Sequence, residues 1–446
     1  MKTLFLGMIL IAGPARSLAP RPLTIAEAIA LGRENNRQLA IADARLDAAS
    51  GKAGEARSAL LPAVRLESSY KRLSDVPPFQ VTLPLPQANG PITISPTVLN
   101  NYNLKASVQQ PLFTGFKLSS NARAADELAE ASGFDRRSDE DDLLLNVTTA
   151  YWTLYQTAQT RKYADENVVR LQTYRRDTEN LLTSGLATRN DLLKVEVQLS
   201  SAILAQIDAA NDAQVACMNL DNLIGLPLHE EVLAVSEPGS EPDSSAAAPA
   251  GADSLFAQAL GSRPDLQATE RRLDAAKSGL TAARGNWWPQ LFLTGAYYYN
   301  RPNSRYQPTL DAFRSTWEVG VQLQMDVWNW GATASQAQQA EASVTQTALQ
   351  VDQMKDNIAL DVRRSSLAVA QARQKVAVAR LAVDEADENL RTTGDKYKNG
   401  VSTSTDLLDA NVALLQAKTN YTAALVELAV AHARLDRAVG KQGYER

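Results

Sequence analysis

Two very long stretches of this chain, Ser119 to Leu182 and Thr333 to Asn399, contain no proline. Proline ends helices because it lacks the amide donor and clashes with the preceding turn. At about 1.5 Å per residue, each stretch read as one helix reaches roughly 90 to 100 Å, far beyond the ordinary helix of a globular domain. The apolar spacing is helical: Leu143, Val147, Ala150, Leu154 and Ala158 form one stripe, and Leu407, Ala410, Leu414 and Ala417 form another farther on. These stripes are narrow and consist of Ala, Leu and Val, which suits close, coiled-coil-like packing rather than a thick core. Each long run stops at a glycine, Gly185 or Gly400, and a second helical run returns from it as an αα-hairpin.

The chain is also written twice. Leu46-Asp47-Ala48-Ala49 recurs as Leu273-Asp274-Ala275-Ala276, and the same displacement carries Ala56-Arg57 onto Ala283-Arg284, Pro62 onto Pro289 and Tyr70 onto Tyr297. A slightly smaller displacement carries Gly185, Thr188, Asp191, Leu192 and Leu193 onto Gly400, Thr403, Asp406, Leu407 and Leu408. Each copy predicts the same order: helix, strand, loop, strand, very long helix, tight turn, long helix. The expected organisation is a leader at 1–19, a first repeat at 20–226, an inter-repeat linker at 227–252, a second repeat at 253–440 and a tail at 441–446. The linker is rich in Pro, Ser, Ala and Gly from Glu237 to Ala252 and reads as exposed.

Four segments alternate with period two. Val64, Leu66 and Tyr70 alternate with Arg65, Glu67 and Lys71; Tyr102, Leu104, Ala106 and Val108 alternate with Asn103, Lys105, Ser107 and Gln109. Leu291, Leu293, Tyr297 and Tyr299 share one face, and Trp317, Val319, Val321, Leu323, Met325 and Val327 share another. About ten alternating residues suit a tilted membrane strand with one face to lipid and one to water, although a half-buried soluble sheet has the same pattern. Phe113, Phe116, Trp287, Trp288, Trp328 and Trp330 fall where strands meet helices, while Tyr70, Tyr102, Tyr297 to Tyr299 and Trp317 fall at the opposite end. Two aromatic levels one strand apart are what two bilayer interfaces select. The proline-rich connection from Arg72 to Asn101 (Pro77, Pro78, Pro84, Pro86, Pro91, Pro96) and that from Asn300 to Arg314 become the external loops.

The first residues support this compartment. Lys2, the apolar run Leu4 to Ala12 and the small residues that follow read as a secretory leader, cleaved after Ala19 or Ala15. Four strands cannot close a barrel, and open edges in lipid are costly. The expected fold is therefore mainly α with a transmembrane β part, in which three copies share one 12-stranded β-barrel continued by a 12-helix periplasmic α-barrel. Composition excludes other classes. A formal net charge of -5 without a basic block gives no phosphate-tracking face for nucleic acid, and the single cysteine, Cys217, permits no internal disulfide. Two His and one Cys argue against a His/Cys metal centre. No nucleophile–base set, P-loop or dinucleotide loop occurs, so neither an enzyme nor a cofactor is expected.

The doubled unit, Gln110-Pro111-Leu112-Phe113-Thr114-Gly115, and the paired segments beginning at Gly185 and Gly400 resemble the TolC-like outer-membrane efflux family over nearly the whole mature chain. The resemblance implies a homotrimer in outer-membrane lipid, working as the exit duct of a tripartite pump with a periplasmic adaptor protein and an inner-membrane transporter. It implies that the tips Gly185, Leu186, Ala187, Thr188 and Gly400, Val401, Ser402, Thr403 meet the adaptor. Asp406 and Asp409 match the family's aspartate ring at the periplasmic entrance, where like charges raise one another's pKa; Asp191 and Tyr397 match positions of its gate network. Where the family carries an arginine two residues past the second tip glycine, this chain has Ser402, with Lys396, Lys398 and Arg189 nearby. Plain helix capping is the other reading of Asn190-Asp191 and Thr405-Asp406.

Other residues read blandly. His229 and His432 fit surface or packing roles, Cys217 the apolar side of its helix, and the acidic runs Asp139 to Asp142 and Asp384 to Glu388 solvated helix faces. Two rivals to a small-molecule duct remain at this point: a polypeptide-secretion outlet of the same fold, and a soluble periplasmic coiled-coil scaffold.

Overall fold

The structure, a computed structural model, describes residues 21–81, 92–95, 97–228, 230–238 and 251–441. The expected leader at 1–19, Pro84, Pro86, Pro91 and Pro96 of the first loop, His229, residues 239–250 of the linker and 442–446 of the tail lie outside the described residues. In chain order the elements are β1 (Arg21–Leu23), α1 (Ile25–Asn35), α2 (Arg37–Ser58), β2 (Ala63–Arg72), β3 (Phe79–Val81), β4 (Ile92–Ser95), β5 (Asn100–Phe113), α3 (Lys117–Thr183), α4 (Arg189–Ile224), β6 (Val232–Ala234), α5 (Ala252–Ser262), α6 (Pro264–Arg284), β7 (Gln290–Arg301), β8 (Arg314–Gln324), α7 (Ala332–Lys398) and α8 (Ser404–Val439). The two proline-free stretches are single helices, α3 and α7, of 67 residues each, and the return helices α4 and α8 have 36 each. No described helix is long and apolar enough to cross a membrane.

By contact the chain divides into two compact units. One comprises Met1–Asp43, Arg136–Pro264 and Lys355–Arg446, and is mainly helical. The core of this helical unit holds Leu143, Val147, Tyr151 and Leu154 of α3 against Leu220 and Ile224 of α4 and Ala28 and Ile29 of α1. Tyr151 is wholly buried, yet its hydroxyl is fully used: it donates to the Leu23 carbonyl and accepts from the Ser236 amide, both at 2.9 Å. That bond anchors a parallel pair, β1 with β6, which periodicity did not predict because three-residue strands carry no period. Val232 of this pair is buried, so the start of the presumed linker is packed. Cys217 is half-buried beneath it, accepting from the Val232 amide at 3.4 Å. The acidic run on α3 is not a bare solvated face either: Glu140 pairs with Arg33 at 3.0 Å and with Arg136, and Asp142 pairs with Arg437 at 2.7 Å.

The other unit, Ala44–Asp135 and Asp265–Met354, holds a four-stranded antiparallel sheet in the order β2-β5-β7-β8. Within the first loop, β3 and β4 pair as a short antiparallel ribbon. The fourth alternating run was expected to continue through Val327, but β8 ends at Gln324. Its partner β7 begins at Gln290, opposite Gln324, and the preceding Pro289 has no amide to extend the ladder.

Candidate functional site

The sheet sorts its side chains into two faces. Register places Val64, Val108, Gly295 and Val319 in one row, Leu66, Ala106, Tyr297 and Trp317 in the next, and Gln110, Leu293 and Val321 in another. On this apolar face Val64 is 78% exposed, Trp317 72% and Val321 63%. An open apolar sheet face of this extent needs a cover of lipid or protein. The opposite face carries Glu67, Lys105, Tyr298 and Glu318; Tyr298 donates to Glu318 at 2.6 Å, and Arg305 ion-pairs with the same carboxylate.

The aromatic residues divide between the two ends of the sheet. Phe113 ends β5, Trp287 and Trp288 precede β7, and Phe116, Trp328 and Trp330 occupy the turns into α3 and α7. All six sit at the helix-proximal end of the sheet, with Phe113 against Phe116 and Trp328 against Trp330 as edge-on pairs, both at 5.7 Å. Phe116 and Trp330 have φ of 65 and 55, a left-handed conformation that bulky residues rarely adopt, and both rings are exposed. At the other end Tyr70 contacts Tyr102, and Phe313 lies between Tyr102 and Tyr299.

The hairpin tips belong to the helical unit. Gly185 and Gly400 have φ of 77 and 71, and the residue after each donates back across the turn, Leu186 to the Leu181 carbonyl at 2.8 Å and Val401 to the Lys396 carbonyl at 2.9 Å. That is the glycine-dependent closure of a helix C-terminus. Leu186 and Val401 stand 73% and 76% exposed at the two apices. Thr188 and Thr403 then cap α4 and α8 through complete capping boxes with Asp191 and Asp406. Capping is therefore real at both tips.

Asp191 does more than cap. One carboxylate oxygen accepts from Thr188, while the other accepts from Ser404 Oγ at 2.7 Å, joining the two hairpins; Lys194 donates to Thr405 at 3.0 Å alongside. Hydrogen bonds from Thr188 and Ser404 hold the Asp191 carboxyl below the ordinary aspartate value. Asp406 is also lowered, first by the Thr403 amide and then by the Thr403 and Ser402 hydroxyls. Ser402, standing where the family has arginine, donates to Asp406 at 3.1 Å. Arg189, Lys396 and Lys398 form no side-chain link among the described residues. Asp409 is exposed one turn above Asp406.

Asp191 and Tyr397 are not joined. Tyr397 is 7% exposed, and its hydroxyl shares a 2.8 Å hydrogen bond with Thr178, which is wholly buried. Thr178 and Ser404 are the partners that sequence reasoning missed; neither stands out among many hydroxyl residues on these helices. Farther along, Asn411 donates to Asn167 at 2.7 Å inside the bundle, a buried polar link from α8 to α3 beside the α7-to-α3 link of Tyr397. Beside the Tyr397–Thr178 bond opens a cavity of about 360 Å³, whose lining includes Tyr174, Asp177, Asp387, Leu390, Tyr397 and Leu407. Burial pushes the Tyr174 phenol up, so it stays protonated at neutral pH. Among the described residues no cluster of His, Cys, Asp and Glu is arranged to hold a metal ion.

The family model described as outer membrane efflux protein matches residues 28–226 and 255–441. Outer membrane efflux protein BepC of Brucella suis is 26% identical over 370 residues, 78% of this chain and 77% of that protein. Alkaline protease secretion protein AprF of Pseudomonas aeruginosa is 25% identical over 344 residues, 75% of this chain and 69% of that one. Among solved structures, the Campylobacter jejuni CmeC outer membrane channel superposes with a TM-score of 0.78 at 16% identity, covering 93% of this chain and 85% of that one.

Proposed function

Because this chain belongs to the outer membrane efflux protein family, we propose that it is the exit duct of a tripartite efflux system, a homotrimer exporting small toxic molecules. The protein resides in the outer membrane with a large periplasmic portion, and the family's members are channels rather than enzymes. The observation that carries the reading is a four-stranded sheet whose outer strands, β2 and β8, each lack a second partner among the described residues while one face is mostly apolar and open. In lipid those edges need partners. Three copies supply them by closing one twelve-stranded barrel, with the long helices prolonging it as a twelve-helix tunnel. Mass measurement in detergent together with negative-stain imaging tests this; a monomer, or particles without a stalk, would overturn it.

In the same reading the exposed tips Leu186 and Val401 with their neighbours meet a periplasmic adaptor, which in turn engages an inner-membrane transporter. Asp406 and Asp409 ring the entrance, and the Asp191–Ser404 and Thr178–Tyr397 bonds hold it shut. Asp406→Ala combined with Asp409→Ala should relieve block of single-channel current by multivalent cations at least about tenfold, because rings of carboxylates concentrate such ions. Unchanged block would remove the aspartates from the entrance.

The tip also predicts an acid response. A carboxylate with a depressed folded pKa stabilises the fold above its unfolded value of about 4 and loses that contribution as pH falls through the depressed value. Asp191 and Asp406 are both of this kind. Conductance in planar bilayers should therefore rise as the bath is taken from pH 5 towards pH 3, and Ser404→Ala should raise the pH 5 value and shrink the increment. A flat profile would sink the assignment of Asp191 to the closed state.

A second reading has one specific support, the similarity to a protein named for alkaline protease secretion. Export assays in a deletion strain separate the two: a secretion outlet retains a polypeptide in the cell when deleted, whereas an efflux duct changes resistance to small molecules.

A further inference from the structure

The cavity beside Tyr397 has a composition that the gate reading alone does not use. Its floor is apolar, made by Leu390 and Leu407, and two tyrosine rings, Tyr174 and Tyr397, belong to the same lining and the same packed cluster. Gly394 leaves the space open: a Cβ added there would meet only Leu407, at 3.9 Å. The charged groups on the lining are Asp177, Asp387, Asp395, Arg391 and Lys398. Arg391 is already occupied, held by Glu388 at 2.6 Å and by Asp395 at 3.5 Å. Asp177 and Asp387 have neither a hydrogen bond nor an ion pair among the described residues, and Lys398 is the remaining cation. The unspent charge is thus negative, above an apolar, aromatic floor.

We propose that this cavity binds a small amphiphilic organic cation, with its apolar body on Leu390, Leu407 and the tyrosine rings and its ammonium facing Asp177 and Asp387. Aromatic faces and carboxylates together favour alkylated ammonium groups, because the ring quadrupole and the anion both attract a weakly hydrated cation. A volume of about 360 Å³ is at the small end of ligand pockets and suits a molecule of one ring and one ammonium rather than a polypeptide. The site deepens the gate reading on which it partly rests, since Tyr397 forms its wall. An ammonium compound approaching the entrance would lodge against the residue that bonds Thr178.

The test uses the purified full chain in detergent and benzyltrimethylammonium as probe, with binding followed by ligand-observed NMR. The expected dissociation constant is sub-millimolar, about what so few heavy atoms can achieve. Tetramethylammonium, lacking the ring, should bind at least about tenfold more weakly, and benzyl alcohol, lacking the charge, should not compete. Asp387→Asn should weaken the probe about fivefold or more, Gly394→Leu should abolish binding by filling the floor, and Asp384→Asn, off the lining, should change nothing. Should Gly394→Leu fail to fold, Leu390→Ala, which strips the floor, should weaken binding about tenfold. Equal binding of probe and benzyl alcohol, or indifference to both Asp387→Asn and the floor variants, overturns the proposal. Binding is read at equilibrium and gating as current. A cavity that binds while the entrance variants leave conductance untouched keeps the site and discards the gate, and the converse result does the reverse.

Discussion

Val321→Arg should prevent stable assembly in the outer membrane, whereas Gln322→Arg, one residue on, should be tolerated. Val321 lies beside Leu293 on the exposed apolar face of the sheet, 63% accessible. Gln322 points to the opposite face. If that first face meets lipid, an arginine within the strand must either be desolvated or drag water into the bilayer, at up to roughly 2 to 4 kcal/mol in each protomer. On the opposite face, the one that carries Glu318 and Lys105 farther along, position 322 lies across from Phe292, and there the same side chain can reach water and costs little. Three copies multiply the difference, so the contrast should appear as loss of heat-resistant oligomer and of outer-membrane fractionation. A soluble scaffold predicts the reverse: an exposed valine replaced by arginine would gain solubility. Equal tolerance of the two variants would remove the lipid-facing assignment and, with it, the reason for three copies to share one wall.

What the sequence makes legible follows from the range over which each signal acts. The long helices α3 and α7 show themselves because proline is absent and Ala, Leu and Val recur at helical spacing, both properties of neighbouring residues. The alternation in β2, β5, β7 and β8 is equally local. The tips are legible because only glycine closes such a turn cheaply, and Thr and Asp three residues apart spell a capping box. The misses all depend on residues far apart in the chain. Arg21–Leu23 pairs with Val232–Ala234, and nothing in either triplet names the other. Thr178 is the partner of Tyr397 because packing inside the bundle, not motif spacing, chooses among hydroxyls. Asp221 of α4 is wholly buried, and desolvation pushes its carboxyl up to about 6, which no local pattern announces. Glu140 and Asp142 read as solvated until Arg33 and Arg437 are brought to them.

The two strand-to-helix corners look alike in sequence, each with aromatics and one glycine, but they should respond to substitution very differently. Gly115 has φ of 61, and Gly331 has φ of 80, so an alanine at either position bears a left-handed conformation costing roughly 1 to 2 kcal/mol. At Gly331 nothing lies within 4 Å of an added Cβ, and the cost ends there. At Gly115 the Cβ would stand 2.4 Å from the Gly285 carbonyl oxygen and 2.7 Å from Trp288 Cβ. Gly285 is the reciprocal case, since its Cβ would lie 2.5 Å from the Gly115 carbonyl oxygen. These are backbone-to-backbone approaches, which no rotamer change relieves, so the end of α6 must separate from the start of α3. Lys117 Nζ, which meets Asn286 Oδ1 at 2.9 Å across the same junction, would be lost with it. The displaced segment carries Phe113, Phe116, Trp287 and Trp288, four aromatics of the helix-proximal level. Gly115→Ala should therefore cost at least about 4 kcal/mol and leave little folded protein, while Gly331→Ala should lower the urea midpoint modestly and still assemble. Gly285→Ala should behave like Gly115→Ala despite needing no left-handed backbone, which separates steric crowding from conformational strain. If Gly115→Ala and Gly331→Ala unfold at the same urea concentration, the close approach at the first corner contributes nothing, and the aromatic level must be held by lipid alone.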